Sequence, residues 1–334
     1  MSRPIYSVCI PTYNRAERLA ASIGSAITAL ADRPAEILII DNASDDRTAD
    51  VVARFDSSLV QYHRFEKLVS MYDNHNRCID VAAGDWIAIL HSDDTYPPHY
   101  FDDIEFVLRS EPQADLITDL LIGDTGLHID DIEVDPNLGR AGASVAAAIM
   151  VGGGGPPSGS MYRRDAFDQS PNFDGTNLAG DQMLAIDWAL DNRRVVHHKP
   201  DPPVWTLKDC SLSLDPEMIR LGRRQIQAVI QRGLRSPRRD EVQSQIRRLW
   251  PRINRATRTR LIYRLAASGH RRFAFSLLAT PQAAACLTHR RFYIQSLPSV
   301  LMPEFYHWLR MQYLKRPAST GGSKTQHQVH HHGR

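Results

Sequence analysis

Two adjacent acids, Asp93 and Asp94, follow a run of apolar residues that ends at Leu90. A short apolar run bounded by polar residues predicts a strand buried on both faces, and we expect this strand to end at Asp93. Ligands of open α/β sheets bind beyond the carboxyl ends of such strands. Two carboxylates there could hold a hard divalent cation, which would neutralise the phosphates of a substrate. The alternative is that both acids only cap the helix that follows them.

Strands and helices alternate in the part of the chain that leads to these acids. Apolar, β-rich runs predict strands over residues 6–10, 36–40 and 60–63. Helical spacing predicts helices over about residues 15–31, 48–54 and 72–83. We expect Asn14 to cap the first of these helices. The alternation predicts a doubly wound, parallel sheet.

The middle of the chain is harder to interpret. Residues 120–160 show no regular spacing, and we expect irregular structure there. The glycine run 152–155, followed by two prolines, is either a surface linker or a mobile loop over a site. A further strand is predicted from Gly159, and residues 181–186 predict the start of a helix.

The composition is that of a soluble globular protein. The length of 334 residues predicts two domains, because single cores stop growing beyond roughly 250–300 residues. Hydrophobic residues make up 43% and charged residues 23%, which excludes disordered and fibrous classes. The sequence shows no secretory signal and no apolar stretch near the roughly 20 residues of a spanning helix. Its four cysteines lack metal-ligand spacing, so a reducing cytoplasm is the simplest location.

Charge is distributed very unevenly along the chain. Residues 1–216 hold 17 basic and 34 acidic side chains, a net charge of −17, whereas residues 217–334 hold 23 and 4, a net charge of +19. Such asymmetry is typical of chains with anionic partners. The basic part could dock on the acidic part of this chain or of a second copy, or contact anionic lipid at the inner face of the plasma membrane. Nucleic acid is disfavoured as a partner, because the arginines are scattered and no base-reading motif is present.

Helical spacing dominates from Pro216 onward. Apolar residues recur at helical intervals over 218–230 and 242–250, and residues 261–278 predict a helical hairpin. We therefore predict three parts, which are an α/β domain over residues 1–213, a helical, arginine-rich domain over 214–317 and a disordered tail over 318–334.

Four segments resemble the family 2 glycosyltransferases, which have the GT-A fold, and they occur in the family's order. They are Ser7–Arg15 with its Pro-Thr-Tyr-Asn-Arg turn, Ile37–Asp46, Asn76–Asp94 with His-Ser-Asp-Asp at its end, and Gly180-Asp181. The resemblance covers about residues 4–213, so the basic helical region lies outside it. It implies a mixed, mainly parallel, Rossmann-like sheet that binds a nucleotide sugar. It also implies an inverting transfer of the sugar to a hydroxyl of a cell-surface glycan or a lipid-linked acceptor.

The resemblance also assigns roles to individual residues. The residues implied to bind the nucleotide are Pro11, Thr12, Tyr13, Arg15, Asp41, Asn76, Ser92 and Asp93. It implies that Mg²⁺ or Mn²⁺ is held by Asp93, with Asp94 as an alternative or additional ligand. Asp181 is implied to be the base that deprotonates the acceptor, although it could also cap its helix. A carboxylate at Asp41 can accept from the ring N–H of uracil or thymine, which favours a UDP- or dTDP-sugar as donor.

Three positions depart from the family's motifs. His91 stands where the family has the first acid of its Asp-x-Asp motif, and Gly180 stands where many members have Glu. Lys208 falls near a metal- or phosphate-contacting His of some relatives, and it could pair with the diphosphate or be a plain surface lysine. These departures leave open a catalytically decayed protein that binds sugar nucleotides. A nucleotidyltransferase is a further alternative, disfavoured because residues 10–18 lack the glycines of a phosphate loop.

Overall fold

The computed structural model describes residues 3–55, 58–120, 142–153, 157–170, 172–176, 179–199, 201, 203–206, 227–288 and 296–301. The strands in these residues are β1 (Tyr6–Thr12), β2 (Ala35–Asp41), β3 (Val60–Arg64), β4 (Trp86–Ile89), β5 (Asp94–Thr95), β6 (Leu116–Thr118), β7 (Ser160–Arg163), β8 (Val195–His197) and β9 (Trp205–Thr206). The helices are α1 (Ala16–Leu30), α2 (Thr48–Val52), α3 (Met71–Val81), α4 (Tyr100–Ser110), α5 (Ala143–Val151), α6 (Gly180–Leu190), α7 (227–235), α8 (Arg239–Leu249), α9 (Arg255–Ala267), α10 (Arg271–Leu278) and α11 (Leu297–Leu301). None of the described helices is long and apolar enough to cross a membrane.

Seven of the strands form one sheet in the order β3-β2-β1-β4-β7-β6-β8. The first four run parallel to one another, β7 is antiparallel to both of its neighbours, and β6 is parallel to β8. A mixed, mainly parallel sheet is therefore confirmed, whereas the wholly parallel sheet predicted from strand–helix alternation is wrong at β7. A separate two-stranded sheet pairs β5 with β9.

Two apolar cores cover the two faces of the sheet. Along β2, Leu38 and Ile40 point to a core shared with α3, α5 and α6, while Ile37 and Ile39 point to one shared with α1 and α4. Both faces are fully buried, because helices cover a mainly parallel sheet on either side. This explains why β2 is a continuous apolar run and does not alternate with polar residues.

The strand before the paired acids is shorter than the sequence predicts. β4 ends at Ile89, not at Asp93, although the N–H of Leu90 still donates to the carbonyl oxygen of Cys9 at 2.9 Å. The N–H of Asp94 then donates to the carbonyl oxygen of His91 at 3.0 Å, which closes a turn. The turn brings His91, Asp93 and Asp94 together at the end of the sheet.

The expectation of irregular structure over residues 120–160 is wrong for α5. All nine residues of this helix are buried, and it is apolar on every side, so it has no amphipathic spacing for a sequence to reveal. α5 packs against α6 and α8. The glycine run 152–155 follows α5, and residues 154–156 lie outside the described residues.

The helices of the basic region share a core with the sheet. Ile230 of α7 and Ile246 of α8 belong to the same apolar core as Leu38 and Ile40 of β2. Gly233 lets α7 approach α5 closely, because a Cβ atom at this position would lie 2.4 Å from the sulfur of Met150. The predicted hairpin over residues 261–278 is confirmed as α9 and α10. The domain boundary at residue 213 falls outside the described residues and stays a prediction.

Candidate active site

Polar residues end two neighbouring strands at one edge of the sheet. Thr12, the last residue of β1, lies opposite Asp41, the last residue of β2. β4 pairs with the other side of β1, with Cys9 opposite Ile89, so the turn at residues 90–94 leaves the sheet beside this edge. Ligands of such sheets bind outside the carboxyl ends of their strands. A ligand is therefore expected at the edge formed by β2, β1 and β4.

The carboxylate of Asp41 is buried and held in a fixed orientation. Its Oδ1 accepts from the backbone N–H of Ser44 at 2.9 Å, and its Oδ2 accepts from the hydroxyl of Tyr62. The guanidinium of Arg64 lies 4.0 Å from the same Oδ2. Beside it, the Oγ1 atom of Thr12 is buried and has no hydrogen-bond partner among the described residues. Buried polar atoms are nearly always paired, so this oxygen points to a ligand.

The loops after β1 and β2 are locked together by short polar side chains. The N–H of Asn14 donates to the hydroxyl of Ser44 at 2.9 Å, and the side chain of Asn14 accepts from Asp45. The expectation that Asn14 caps α1 is wrong, because Asp46 accepts from the N–H of Ala16 in that helix at 3.0 Å. Asp46 also accepts from the N–H of Thr48, so one carboxylate serves the starts of two helices.

His91, Asp93 and Asp94 form a cluster that could hold a metal ion. One ligand atom from each lies within 4.8 Å of the other two. Burial raises the pKa of Asp93, and the charge of Asp94 raises it further, while His91 and Arg15 oppose the shift. The Oδ1 atom of Asp94 is buried without a partner among the described residues. An orphaned carboxylate oxygen next to a second acid fits a divalent cation, which would relieve both the burial and the repulsion.

The third member of the cluster, His91, contacts a second histidine. Its Nε2 lies 3.0 Å from the Nε2 of His75, whose Nδ1 lies 2.6 Å from the carbonyl oxygen of Met71. His75 is only 1% exposed, and its burial lowers its pKa to about 3. His75 is therefore a neutral imidazole.

Asp181 lies in the first turn of α6 and accepts a hydrogen bond from Tyr72 of α3. The distance from the Tyr72 hydroxyl to Oδ1 is 2.6 Å. Burial raises the pKa of Asp181, and the hydrogen bond from Tyr72 opposes this shift because it favours the charged carboxylate. The residue before it explains one departure from the family's motifs. A Cβ atom at Gly180 would lie 2.8 Å from the ring of Tyr72, so glycine allows the close approach.

Helix α3 connects the two acidic sites. Tyr72 and His75 are three residues apart and therefore lie on one face of the helix, with their rings 5.2 Å apart. Tyr72 holds Asp181, and His75 holds His91. One rigid helix therefore sets the position of a candidate base relative to a candidate metal site.

Four further residues that the resemblance implies to bind the nucleotide differ in their location and burial. Pro11 lies within β1, Tyr13 is exposed just beyond it, and Ser92 is buried in the turn after β4. The side chain of Asn76 donates to the carbonyl of Phe173 at 2.9 Å and accepts from its N–H at 3.0 Å. We interpret Asn76 as a clamp on the segment around residue 173, since both ends of its amide are engaged.

Lys208 lies outside the described residues. Tyr72 and His75, by contrast, are not part of any motif in the sequence. Their only signal is a spacing of three residues on a predicted helix, which is equally typical of ordinary packing.

Comparisons with known proteins agree with this geometry. Residues 7–114 match the family described as Glycosyl transferase family 2. A PGL/p-HBAD biosynthesis glycosyltransferase of Mycobacterium bovis is 34% identical over 98 residues, which are 28% of this chain and 38% of that protein. A glycosyltransferase of Nostoc, alr2836, is 28% identical over 171 residues, 49% of this chain and 52% of that protein. The chain thus matches less than two thirds of the length of these curated relatives.

Solved structures show the same fold at low identity. The structure of Staphylococcus aureus TarS 1-349 covers 88% of this chain and 90% of its own, with a TM-score of 0.56 and 15% identity. The mannosyltransferase PcManGT from Pyrobaculum calidifontis, solved with GDP-Man and Mn²⁺, covers 94% and 88%, with a TM-score of 0.55 and 15% identity. The sheet and its helices therefore have the GT-A fold. Within it, residues 7–114 are similar to the family 2 glycosyltransferases.

Proposed function

We propose that the protein is an inverting, metal-dependent glycosyltransferase. It would move a sugar from a nucleoside diphosphate, of the UDP or dTDP type, to a hydroxyl group of an acceptor. The observation that carries this proposal is the arrangement of α3, which contacts the candidate base Asp181 through Tyr72 and the metal cluster through His75.

The nucleotide would bind at the ends of β1 and β2. Asp41 can accept from the ring N–H of uracil or thymine, because each carboxylate oxygen has a further lone pair beside the bonds from Ser44 and Tyr62. The unpartnered hydroxyl of Thr12 lies next to it. The charge of Arg15 lowers the pKa of Asp93, so Arg15 could also attract the phosphates.

Asp93, Asp94 and His91 would hold Mg²⁺ or Mn²⁺. When bound, such an ion supplies charge neutralisation for the departing nucleoside diphosphate. Asp181 would take the proton from the acceptor hydroxyl, and general-base help of this kind is typically worth 10²–10⁴-fold in rate. Attack from the face opposite the leaving group gives inversion at the anomeric carbon.

The proposal is tested first by ligand binding and metal dependence. Nucleotide sugars are screened by thermal shift with and without Mn²⁺, because a bound ligand raises the melting temperature by mass action. The best donor is then used to measure transfer or hydrolysis. We expect activity only with Mg²⁺ or Mn²⁺ and its loss in Asp93→Ala. Asp80→Ala is the matched control, since Asp80 is exposed on α3. Activity that survives EDTA and Asp93→Ala would contradict the proposed role of the metal.

The same experiment separates the alternatives. A catalytically decayed protein would bind the donor without turnover. A nucleotidyltransferase would instead release pyrophosphate from a nucleoside triphosphate and a sugar phosphate. The hydrogen-bonded pair of Asp181 and Tyr72 favours the glycosyltransferase, because nucleotidyl transfer does not require a base on the sugar acceptor side.

We further propose that the basic helices bind phosphate groups at the cytoplasmic face of the membrane. These phosphates would belong to the acceptor, which is a glycan or a lipid-linked molecule, or to the membrane that carries it. A groove between α8 and the start of α10 is lined by Arg239, Arg247, Arg271 and Arg272. Three of these have other contacts, since Arg239 pairs with the exposed Asp240, Arg271 donates to the carbonyl of Val300, and the guanidinium of Arg247 lies 4.9 Å from the centre of the Phe273 ring. Arg247 and Arg272 have exposed side chains that could meet anionic lipid headgroups. Self-association through the basic region stays a prediction.

A further inference from the structure

We propose that His91 is a nitrogen ligand of the divalent ion, and that His75 is a positioning residue that fixes which nitrogen of His91 is free to bind it; this inference rests on the proposed metal-dependent function. The observation behind it is a chain of three polar groups, Met71, His75 and His91, that ends at the acidic cluster.

The hydrogen bonds of this chain determine the tautomers. The carbonyl oxygen of Met71 can only accept, so the Nδ1 of His75, 2.6 Å away, carries a proton. His75 is 1% exposed, and its polar contacts among the described residues are the Met71 carbonyl and His91, so no acid is present to pair a charged ring; its Nε2 therefore has no proton and must accept. The Nε2 of His91, 3.0 Å away, must therefore donate. In a neutral His91 the remaining nitrogen, Nδ1, then has a free lone pair.

That free nitrogen faces the acids. The Nδ1 of His91 lies 3.7 Å from the Oδ2 of Asp94, which is longer than a hydrogen bond. Two carboxylates and an unprotonated imidazole nitrogen converge within 4.8 Å, and none of the three can donate a proton to another. A divalent cation satisfies all three groups at once. The departure of His91 from the family's acidic motif is thus a change of ligand atom, from oxygen to nitrogen.

An imidazole ligand changes which ion the site prefers. Mg²⁺ is hard and selects oxygen ligands, whereas affinity for nitrogen ligands rises from Mn²⁺ to Co²⁺ along the transition series. We therefore expect this site to favour Co²⁺ and Mn²⁺ over Mg²⁺ more strongly than the His91→Asp variant does. Replacing nitrogen by a carboxylate oxygen restores an all-oxygen site, so the Co²⁺-to-Mg²⁺ affinity ratio falls in that variant.

The direct test is pulsed electron paramagnetic resonance of Mn²⁺ bound to the full chain, with Mn²⁺ alone and with Mn²⁺ plus UDP. We expect a ¹⁴N coupling from a directly bound imidazole in the wild type and its loss in His91→Asp, which still binds Mn²⁺. His99→Ala is the matched control, because His99 is half-buried and contacts the carbonyl of Asp201 outside the cluster. Bound Mn²⁺ without nitrogen coupling in the wild type would overturn the proposal.

His75 is tested by a pair of variants. His75→Leu removes the acceptor for His91, and loss of an outer hydrogen bond of this kind typically weakens metal affinity by about 10–100-fold. His75→Gln retains a carbonyl acceptor and should recover part of that loss in a calorimetric titration with Mn²⁺. Equal affinity in Leu and Gln variants would assign His75 a packing role only.

Because a variant of the buried His75 could fail to fold, the tautomers are also read in the wild type. The ¹⁵N chemical shifts of the histidine rings distinguish protonated from bare nitrogens. We expect a bare Nδ1 on His91 that shifts when Zn²⁺ is added, and a protonated Nδ1 on His75 that does not. A protonated Nδ1 on His91 that ignores Zn²⁺ would refute the proposal. Nitrogen ligation without sugar transfer would leave this inference standing and refute the proposed function instead.

Discussion

The pH dependence of transfer should reveal the hydrogen bond from Tyr72 to Asp181. The hydroxyl of Tyr72 donates to Oδ1 at 2.6 Å, so it stabilises the charged carboxylate, while burial raises the pKa of Asp181 and acts in the opposite direction. A general base works only when it is deprotonated. If Asp181 is the base proposed above, activity should fall as the pH drops through its pKa and should be fully present above that pKa.

The Tyr72→Phe variant keeps the ring and removes the donor. The pKa of Asp181 should rise further, because the charged form loses a partner, and the acid limb of the pH profile should move to higher pH. A hydrogen bond to a charged group is worth about 1.5–3 kcal/mol. Since about 1.4 kcal/mol corresponds to a tenfold change, kcat/KM on the acid limb should fall roughly ten- to hundredfold. At alkaline pH, where Asp181 is charged in both proteins, the two profiles should converge.

The assay measures kcat/KM for the donor as a function of pH at fixed Mn²⁺, because this ratio reports ionisation of the free enzyme. Tyr100→Phe is the matched control, since the hydroxyl of Tyr100 is also buried but has no hydrogen-bond partner among the described residues. Its profile should coincide with that of the wild type. An equal loss at every pH in Tyr72→Phe would show that Tyr72 acts through packing, and an unchanged profile would remove Asp181 as the base.

Two further perturbations test the packing of the site and the basic groove. Gly180→Ala should lower kcat by at least tenfold, with a smaller change in the KM for the sugar nucleotide. A Cβ atom 2.8 Å from the Tyr72 ring would push the Tyr72 hydroxyl away from Asp181. Steady-state kinetics measure kcat and KM separately. The double variant Arg247→Ala and Arg272→Ala should weaken binding to phosphatidylglycerol vesicles by roughly 30-fold in sedimentation assays, since each arginine near an anionic surface contributes about 1 kcal/mol.

Each of these perturbations has a control. Gly24→Ala should leave the kinetics unchanged, because a Cβ atom at Gly24 in α1 meets nothing within 4 Å. Arg47→Ala with Arg54→Ala removes two exposed arginines far from the groove in sequence and should not alter vesicle binding. Normal kinetics in Gly180→Ala would show that the contact with Tyr72 is not needed. Vesicle binding that resists the groove variant, or that persists equally on neutral vesicles, would refute a phosphate contact there.

The sequence predicts those parts of the fold that depend on local pattern. β2 and α1 could be placed within two residues, because one is a bounded apolar run and the other has helical spacing. α5 could not, since a helix buried on all sides carries no amphipathic signal. The antiparallel β7 was equally inaccessible, because strand direction depends on how the chain returns to the sheet and not on residue types.

For the candidate site, the sequence predicts the acids but not the residues that hold them. Asp93, Asp94 and Asp181 stand in short motifs and at element ends, where a ligand-binding role is the natural interpretation. Tyr72 and His75 acquire their roles only through contacts with residues 109 and 16 positions away, respectively. Such contacts depend on the tertiary structure, and no local rule predicts them.

The complete enclosure of α5 has a consequence for engineering this fold. A truncation after the sheet would uncover the side of α5 that faces α7 and α8. This would expose an apolar surface that promotes aggregation. Chimeras that exchange the C-terminal helices should therefore be joined within the turns between the later helices and should keep Gly233, which makes room for Met150.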